Sequence, residues 1–375
     1  MLQTSGVLCG RYTSPHLIDQ WDCININGTP VKESVFREAE KLVQKRNKNE
    51  LIKASEFELL TATAFECFAR EKIEIGVIEV GLGGRLDATN VLENKAVTVI
   101  SKIGVDHQSF LGNTIEEIAL QKAGIMRPGV PCVLDRTNNP SVQKVVKDYA
   151  AAIGTEVILS STDSALFDEL SENDFEPHQW ENLACAYTAF HIAYTKAESS
   201  LHRLIPAIKD TVFPGRLQTI DISQVTGRKE PALLDGAHNA QSADVLGAYV
   251  DKHLRAKASK VVWVLATSKG KELDDILKPL LRPEDCVTAV QFGPVEGMPW
   301  VEPMAPQDIL AASSRVGVDA SQQFDSTSNI SNALQWAVET AKGGPLVIAG
   351  SLYLVSDVLR MCRNAEQLQN QLLSR

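Results

Sequence analysis

The sequence lacks any apolar stretch that approaches the roughly 20 residues a membrane helix needs. Its N-terminal segment has no basic region followed by an apolar one, so it does not resemble a signal peptide. The seven cysteines are scattered and never spaced Cys-x-x-Cys, which favours reduced thiols over a zinc knuckle or a disulfide framework. These absences predict a cytoplasmic protein without a membrane partner, or a mitochondrial one if a leader precedes this sequence.

Positive charge is also scarce, since 37 lysines and arginines face 47 aspartates and glutamates, a net charge of −10. No basic stripe stands out, so a nucleic-acid partner is not expected. An acidic protein can still bind ATP, because local donors and Mg²⁺ carry that interaction. The length of 375 residues, with 44% hydrophobic residues, predicts two domains.

Short β-branched apolar runs alternate with helical patterns, which is typical of a mostly parallel α/β sheet. Residues 73–80 and 96–103 are predicted to be buried strands, and residues 115–123 and 177–194 to be helices. The helix predicted at 55–68 begins with a possible capping box.

That capping box pairs Ser55 with Glu58. On the same helix, Phe57, Leu60, Ala64 and Phe68 recur at helical spacing, which predicts a core face.

A domain boundary is predicted near residues 211–213. Beyond it, two strands are expected at 216–222 and 232–234, joined through a turn at Gly227, and a helix from about Asn239. Further strands at 260–266 and 346–349, and a helix from Leu352, complete a smaller α/β domain. Open α/β sheets place functional sites at the carboxyl ends of their strands.

Glu79 lies at the end of the first apolar strand, directly before the turn Gly-Leu-Gly-Gly at 81–84. A carboxylate there is consistent with a Mg²⁺ ligand, or with a strand-end acid that is solvated or salt-bridged. The glycines also suggest a dinucleotide fingerprint. However, Leu86 occupies the place of the third glycine and no helix opens there, which disfavours a nicotinamide-dependent oxidoreductase.

Three other features leave two interpretations open. Asp106 and His107 close the next strand, where a second ligand for the same ion is expected, although a lone histidine is often a packed or surface residue. Lys122 follows on a helix and by pattern alone is a solvated lysine. Asp235 and His238 precede a helix, where they could serve a nucleotide or cap the helix.

These pieces occur together in an order that resembles the folylpolyglutamate synthase and dihydrofolate synthetase family of Mur ligases. The matching segments are Thr-Ser-Pro-His-Leu at 13–17, Phe-Glu-Leu-Leu-Thr at 57–61, the glycine motif at 79–90, Asp-His at 106–107, Leu-Gly at 111–112, Lys-Ala-Gly-Ile at 122–125, Phe-Pro-Gly-Arg at 213–216 and Asp-Gly-Ala-His-Asn at 235–239. The segment 295–300 and the C-terminal Gly-Ser-Leu-Tyr-Leu at 350–354 resemble the dihydrofolate synthetase branch. The implied fold is a Mur-ligase central ATPase domain (1–212) and a Rossmann-like C-terminal domain (213–375).

The resemblance implies an ATP-dependent ligase, a monomer, that joins L-glutamate to dihydropteroate through an acyl phosphate. It implies Mg²⁺ ligation by Ser14, Glu79 and His107. It also implies a carbamylated Lys122 that helps to hold a second Mg²⁺, and a pterin contact by Asp87. Asn182 and Arg216 match nucleotide-contacting positions, and Asp235 and His238 match residues that face ATP across a cleft between the domains. The alternative acceptor is a folate that already carries glutamate.

In that family a phosphate-binding loop, Gly-x-x-Gly-Lys-Gly-Ser in type, precedes the Thr-Ser-Pro-His-Leu segment. This sequence has no such loop there, and Gly270-Lys271 lacks the glycine-rich lead. We therefore expect the first strand and the phosphate-binding loop to be missing, with apolar surface uncovered and turnover impaired. The alternative of another class is a non-catalytic remnant that binds folate.

Overall fold

A computed structural model of the chain describes residues 1–194, 201–326 and 328–373. Two compact units emerge, Met1–Thr211 and Val212–Arg375. Among the described residues, none of the helices is both long and apolar enough to cross a bilayer.

The first unit contains two sheets. The first sheet consists of β1 (Cys9–Tyr12), β2 (Ile24–Ile26), β3 (Thr29–Pro30) and β4 (Ile75–Ile78), in the order β3-β2-β1-β4. Its β1–β4 pair is parallel, whereas β1–β2 and β2–β3 are antiparallel. The second sheet, β5 (Thr98–Ile100), β6 (Cys132–Leu134) and β7 (Val157–Leu159), is wholly parallel.

The α-helices described in the first unit are α1 (Glu33–Asn49), α2 (Glu56–Arg70), α3 (Gln108–Leu111), α4 (Ile115–Ala123), α5 (Pro140–Ile153), α6 (Ala165–Glu169), α7 (Pro177–Ala193) and α8 (Leu201–Lys209). The predicted capping box of α2 is confirmed, since Ser55 N–H donates to Glu58 Oε2 at 2.7 Å. Ala64 and Phe68 lie in the core, with Phe57 and Leu60 packed against it, as the helical spacing predicts. The helices predicted at 115–123 and 177–194 are also confirmed, the second ending one residue earlier.

The two strands expected to be buried are shorter and more exposed than predicted. In β4, Val77 is 52% exposed, and in β5, Val99 is 39% exposed. Among the residues that the structure describes, each of these strands has a hydrogen-bonded neighbour on one side only, β1 and β6 respectively. An apolar run therefore marks these strands correctly, but it does not reveal whether both faces and both edges are covered. The expectation that a strand is missing stays a prediction.

The second unit is built on one six-stranded sheet. Its strands are β8 (Gln218–Ile220), β9 (Ala232–Leu234), β10 (Val262–Leu265), β11 (Cys286–Ala289), β12 (Gln323–Asp325) and β13 (Leu346–Ala349), in the order β12-β11-β10-β13-β9-β8. All pairs are parallel except β8–β9. The strands expected at 216–222, 232–234, 260–266 and 346–349 are thus present, the first and third in shorter form.

The α-helices described in the second unit are α9 (Ser223–Thr226), α10 (Ala240–Val250), α11 (Leu273–Leu280), α12 (Pro306–Arg315), α13 (Ile330–Ala341) and α14 (Leu352–Leu373). The helix expected from Asn239 is α10, with Asn239 as its N-cap. The fully buried Trp263 of β10 lies in the main core cluster. Because the strands are parallel, their carboxyl ends share one edge of the sheet, where Asp235 lies after β9.

Candidate active site

Ser14 and Glu79 meet at the carboxyl edge of the first sheet. The parallel register pairs Tyr12 of β1 with Ile78 of β4, and Glu79 N–H donates to Tyr12 O at 2.8 Å. Ser14 N–H then donates to Glu79 Oε2 at 3.2 Å. Two residues far apart in sequence are therefore adjacent, and they present a hydroxyl and a carboxylate, oxygen donors of the kind that Mg²⁺ prefers.

The turn that follows Glu79, Gly81–Gly84, is called the glycine turn below. It packs closely against neighbouring helices. A Cβ on Gly81 would lie 2.3 Å from the ring of Phe57 on α2. A Cβ on Gly84 would lie 2.7 Å from Ile125 Cγ2 and 3.1 Å from the carbonyl oxygens of Gln121 and Lys122, and its φ is +153°. Only glycine fits there, and this contact places the turn directly against the carboxyl end of α4.

Asp87 closes the glycine turn. Its Oδ2 accepts from Leu82 N–H at 2.9 Å, and its Oδ1 accepts from the N–H and the hydroxyl of Thr89 at 2.9 and 2.6 Å. The carboxylate therefore shapes the loop itself, in addition to the pterin contact that the resemblance implies.

His107 adopts an unusual backbone conformation at the start of α3, with φ 53° and ψ 37°. Its N–H donates to Asp106 Oδ1 at 2.8 Å, and its Nε2 lies 4.0 Å from Asp106 Oδ2. Non-glycine residues rarely occupy this left-handed region, and such residues cluster at functional sites.

Lys122 lies half-buried near the end of α4. Burial lowers the pKa of its ammonium group, and the Asp106 carboxylate opposes that shift. None of the hydrogen bonds or ion pairs found among the described residues involves the Lys122 amine. The pattern-based expectation of a solvated surface lysine is therefore wrong, because the side chain is partly withdrawn from water.

A cluster of three or more histidine, cysteine, aspartate or glutamate side chains able to hold a metal ion is absent from residues 1–194, 201–326 and 328–373. The implied Mg²⁺ ligands Ser14, Glu79 and His107 include one glutamate and one histidine, and the third ligand is a serine. They therefore fall outside this definition of a cluster. The donor chemistry suits a hard cation that keeps several of its own waters.

Asn182 lies on another element of the first unit, exposed on α7, which packs against β5 and β6. The preceding Glu181 binds Arg136 through two bonds, from Arg136 Nε at 3.0 Å and Nη2 at 2.9 Å. This bidentate pair fixes the start of α7 to the carboxyl end of β6. The nucleotide role of Asn182 stays a prediction.

In the second unit, Asp235 is a buried residue that organises the strand end. Its Oδ2 accepts from Leu217 N–H at 2.8 Å and its Oδ1 from Ala237 N–H at 2.7 Å. A Cβ on Gly236 would lie 2.6 Å from Arg216 Nη1. Arg216 and Asp235 therefore lie together at the carboxyl edge of the second sheet.

His238 completes this group. Its Nδ1 lies 2.9 Å from Gly236 O, and since a carbonyl oxygen only accepts, Nδ1 carries the proton in this contact. Asn239, not His238, caps α10, through Oδ1 and the N–H of Ser242 at 2.9 Å.

Sequence reasoning missed three residues beside the first-unit site: Asn90, Lys95 and Arg127. Asn90 belongs to the glycine motif, but Lys95 and Arg127 carry no pattern in the sequence. Only the folded chain brings them together, at the end of α4.

The chain is similar to known proteins over most of its length. Residues 218–361 match a family model described as "Dihydrofolate synthetase, C-terminal domain". The chain is 38% identical to the probable dihydrofolate synthetase of Schizosaccharomyces pombe and 37% identical to the dihydrofolate synthetase of Saccharomyces cerevisiae, with 96% of this chain and 88% of each relative covered. Its fold is similar to that of Mycobacterium tuberculosis folylpolyglutamate synthase, solved with ADP and AMPPCP, with a TM-score of 0.80, 24% identity and coverage of 96% of this chain and 86% of that one.

Proposed function

The chain belongs to the dihydrofolate synthetase and folylpolyglutamate synthase family, and from this membership we propose that it joins L-glutamate to dihydropteroate at the expense of ATP. The observation that carries the proposal is the identity of 38% and 37% to two dihydrofolate synthetases over 96% of the chain. The enzyme class is a carbon–nitrogen ligase that uses ATP. Dihydropteroate as the acceptor is the finer part of the proposal.

The reaction has two steps. A carboxylate oxygen of dihydropteroate attacks the γ-phosphorus of ATP, the bond to the β–γ bridging oxygen breaks, and an acyl phosphate and ADP form. The glutamate amine then attacks the acyl carbon, loses a proton, and expels phosphate to leave the amide of dihydrofolate. Phosphoryl transfer of this kind depends mainly on positioning and on charge neutralisation.

We assign Ser14, Glu79 and His107 to the binding of Mg²⁺, which supplies positive charge next to the phosphate oxygens when it is bound. Support comes from the contact between Ser14 N–H and Glu79 Oε2 at 3.2 Å, which holds the carboxylate beside the serine hydroxyl. His107 is held by its bond to Asp106.

Lys122 is proposed to carry a carbamate. Its lowered pKa increases the fraction of neutral amine near neutral pH, and only the neutral amine reacts with CO₂. The nitrogen–carbon bond forms, a proton leaves, and the cation becomes an anion with two oxygens. Such a group is a suitable ligand for a second Mg²⁺.

The remaining assignments are Asp87 to the pterin ring and Asn182, Arg216, Asp235 and His238 to the nucleotide. The planar guanidinium of Arg216 can pair with phosphate oxygens. In the second unit, Asp235 positions the loop before α10 through its bonds to Leu217 N–H and Ala237 N–H, and we assign His238 a catalytic role beside the nucleotide.

The proposal is tested by measuring ADP release from the purified chain with ATP, Mg²⁺ and L-glutamate, and with dihydropteroate or tetrahydrofolate as acceptor. We expect release that depends on dihydropteroate. Release with tetrahydrofolate alone would assign the chain to polyglutamylation. Binding of either acceptor without any release would support a non-catalytic remnant.

The Glu79→Gln substitution should lower kcat/KM by about a hundredfold or more, because a neutral amide is a poor ligand for Mg²⁺. Its matched control is Glu71→Gln, an exposed carboxylate at the end of α2, which should leave the rate unchanged. Equal rates for the two variants would contradict the assignment of Glu79.

A further inference from the structure

Asn90, Lys95 and Arg127, called the Asn90 cluster below, bind the loop after the glycine turn to the carboxyl end of α4. Asn90 Nδ2 donates to Arg85 O at 3.1 Å and to Gly124 O at 3.0 Å. Lys95 Nζ donates to Asn90 Oδ1 at 2.7 Å and to Ile125 O at 2.8 Å.

Arg127 adds a second cation to the same carbonyl groups. Its Nη1 donates to Met126 O at 3.1 Å and more weakly to Gly124 O at 3.4 Å, and its Nη2 donates to Asn90 O. The cluster therefore satisfies backbone oxygens that the end of a helix leaves without an intrahelical partner.

The charges of this cluster are unusual for a purely structural device. No ion pair among the described residues joins Lys95 or Arg127 to a carboxylate, and the bonds of both cations go to neutral oxygens. Burial and, to a lesser extent, the neighbouring Arg127 cation lower the pKa of Lys95 to about 8. Two half-buried cations without a counter-ion destabilise the fold relative to neutral donors, so their presence next to a site calls for another reason.

We look for that reason in the two segments that the Asn90 cluster joins, because each lies next to a residue of the candidate site. One segment follows Glu79 through the glycine turn, and the other ends α4 just after Lys122. A Cβ on Gly124 would lie 2.4 Å from Arg85 Cβ, and Arg85 N–H donates to Gln121 O at 2.9 Å. The segments therefore touch through backbone on both sides of Lys122.

We propose that Lys95 is a positioning residue of the ligase site, which acts with Asn90 to fix the place of Lys122 relative to the loop that follows Glu79. This inference rests on the proposed function, because it gives Lys122 a role as a carbamylated metal ligand. Small displacements of such a ligand lower the rate without changing how the substrates bind, since the reacting groups and the metal must be aligned closely.

The test compares three variants of the full chain. Lys95→Met keeps much of the side-chain volume but removes the donor. Lys95→Arg restores a donor that can reach two oxygens. Lys144→Met removes a surface lysine whose partner is Asp148 at 2.6 Å, and it serves as the matched control. The readouts are steady-state kinetics, the ¹³C signal of a Lys122 carbamate formed from labelled bicarbonate, and amide hydrogen exchange.

We expect Lys95→Met to lower kcat about tenfold, with KM for ATP and dihydropteroate changed by less than about twofold. The carbamate signal should fall, and exchange should rise at residues 82–86 and 121–126 only. Lys95→Arg should recover most of kcat, and Lys144→Met should match the unsubstituted chain. A Lys95→Met variant with unchanged kcat and an unchanged carbamate signal would overturn the proposal, as would exchange that rises throughout the first unit.

The failure of this inference differs from failure of the proposed function. If the unsubstituted chain releases no ADP with either acceptor, the ligase assignment fails. The exchange experiment then still decides the role of Lys95, because protection at 82–86 and 121–126 does not depend on turnover. Unchanged protection in Lys95→Met would show that Lys95 fixes neither segment.

Discussion

The two units bury their strands to different extents. In the second unit, every residue of β9, β10, β11 and β13 is buried, and the strand ends rest on a continuous apolar core. In the first unit, none of the residues of β4 is fully buried, and β5 exposes its central valine. The first-unit site is instead held by polar bonds and close glycine contacts. In the first unit, site geometry therefore depends more on these bonds and contacts than on burial of the strands that carry the site.

The largest effect is expected from Asp285→Ala in the second unit. The fully buried Asp285 accepts from Arg255 at 2.7 and 2.6 Å, from Trp263 Nε1 at 3.1 Å and from two backbone N–H groups. Its removal leaves a guanidinium without its buried counter-ion and should lower the free energy of unfolding by about 3–5 kcal/mol. Urea unfolding measures the loss. The control is Asp148→Ala, an exposed partner of Lys144, and a similar loss in both variants would contradict this account.

An intermediate effect is expected from Gly84→Ala in the first unit. The new methyl group would lie 3.1 Å from the backbone carbonyl oxygens of Gln121 and Lys122, so the turn and α4 must separate. In addition, the φ of +153° is strained for an alanine. We expect the free energy of unfolding to fall by about 2 kcal/mol and kcat to fall by about tenfold. Gly129→Ala is the control for backbone strain alone, because Gly129 has a φ of +72° but its added Cβ would lie in open space. If that variant loses as much activity, the close approach to α4 is not the cause.

The smallest effect is a dependence of stability on pH. Burial lowers the pKa of Lys95 from 10.5 to about 8. Between those values the unfolded chain binds a proton on this amine that the folded chain does not, so this group adds stability as the pH rises from 8 towards 10.5. Lys95→Met should remove that contribution, which urea unfolding at pH 7, 9 and 10 would detect as a smaller gain between the first and last pH. Identical pH profiles would show that Lys95 titrates normally in the folded chain.

Local patterns in the sequence predict local structure well. The capping box at Ser55 and the helix at 115–123 are confirmed because their signals lie within a few neighbouring residues. The strand from Leu346 and the helix from Leu352 are confirmed for the same reason. The parallel α/β class also follows from the alternation of strands and helices, although β1, β2 and β3 add antiparallel pairs that no pattern indicated.

Burial and charge were harder to predict, because they depend on contacts between distant segments. The exposure of Val77 depends on which elements cover β4, and the withdrawal of Lys122 from water depends on burial that its own helix does not reveal. The role of Ser14 came from resemblance alone. Position at a strand end suggested roles for His107 and His238 but left them open, since a lone histidine has no distinguishing spacing. No pattern in the sequence indicated a role for Lys95.

The parallel pairing of β1 with β4 has a consequence for how the protein acquires its site. Ser14 and Glu79 are 65 positions apart, and the chain between them forms α1 and α2, which pack against each other. Closing so long a segment is slow compared with forming either helix. Neither residue therefore belongs to a local cation-binding element of the nascent chain. The site matures only when the helical pair has docked, and substitutions that loosen that docking should weaken metal affinity without touching either ligand.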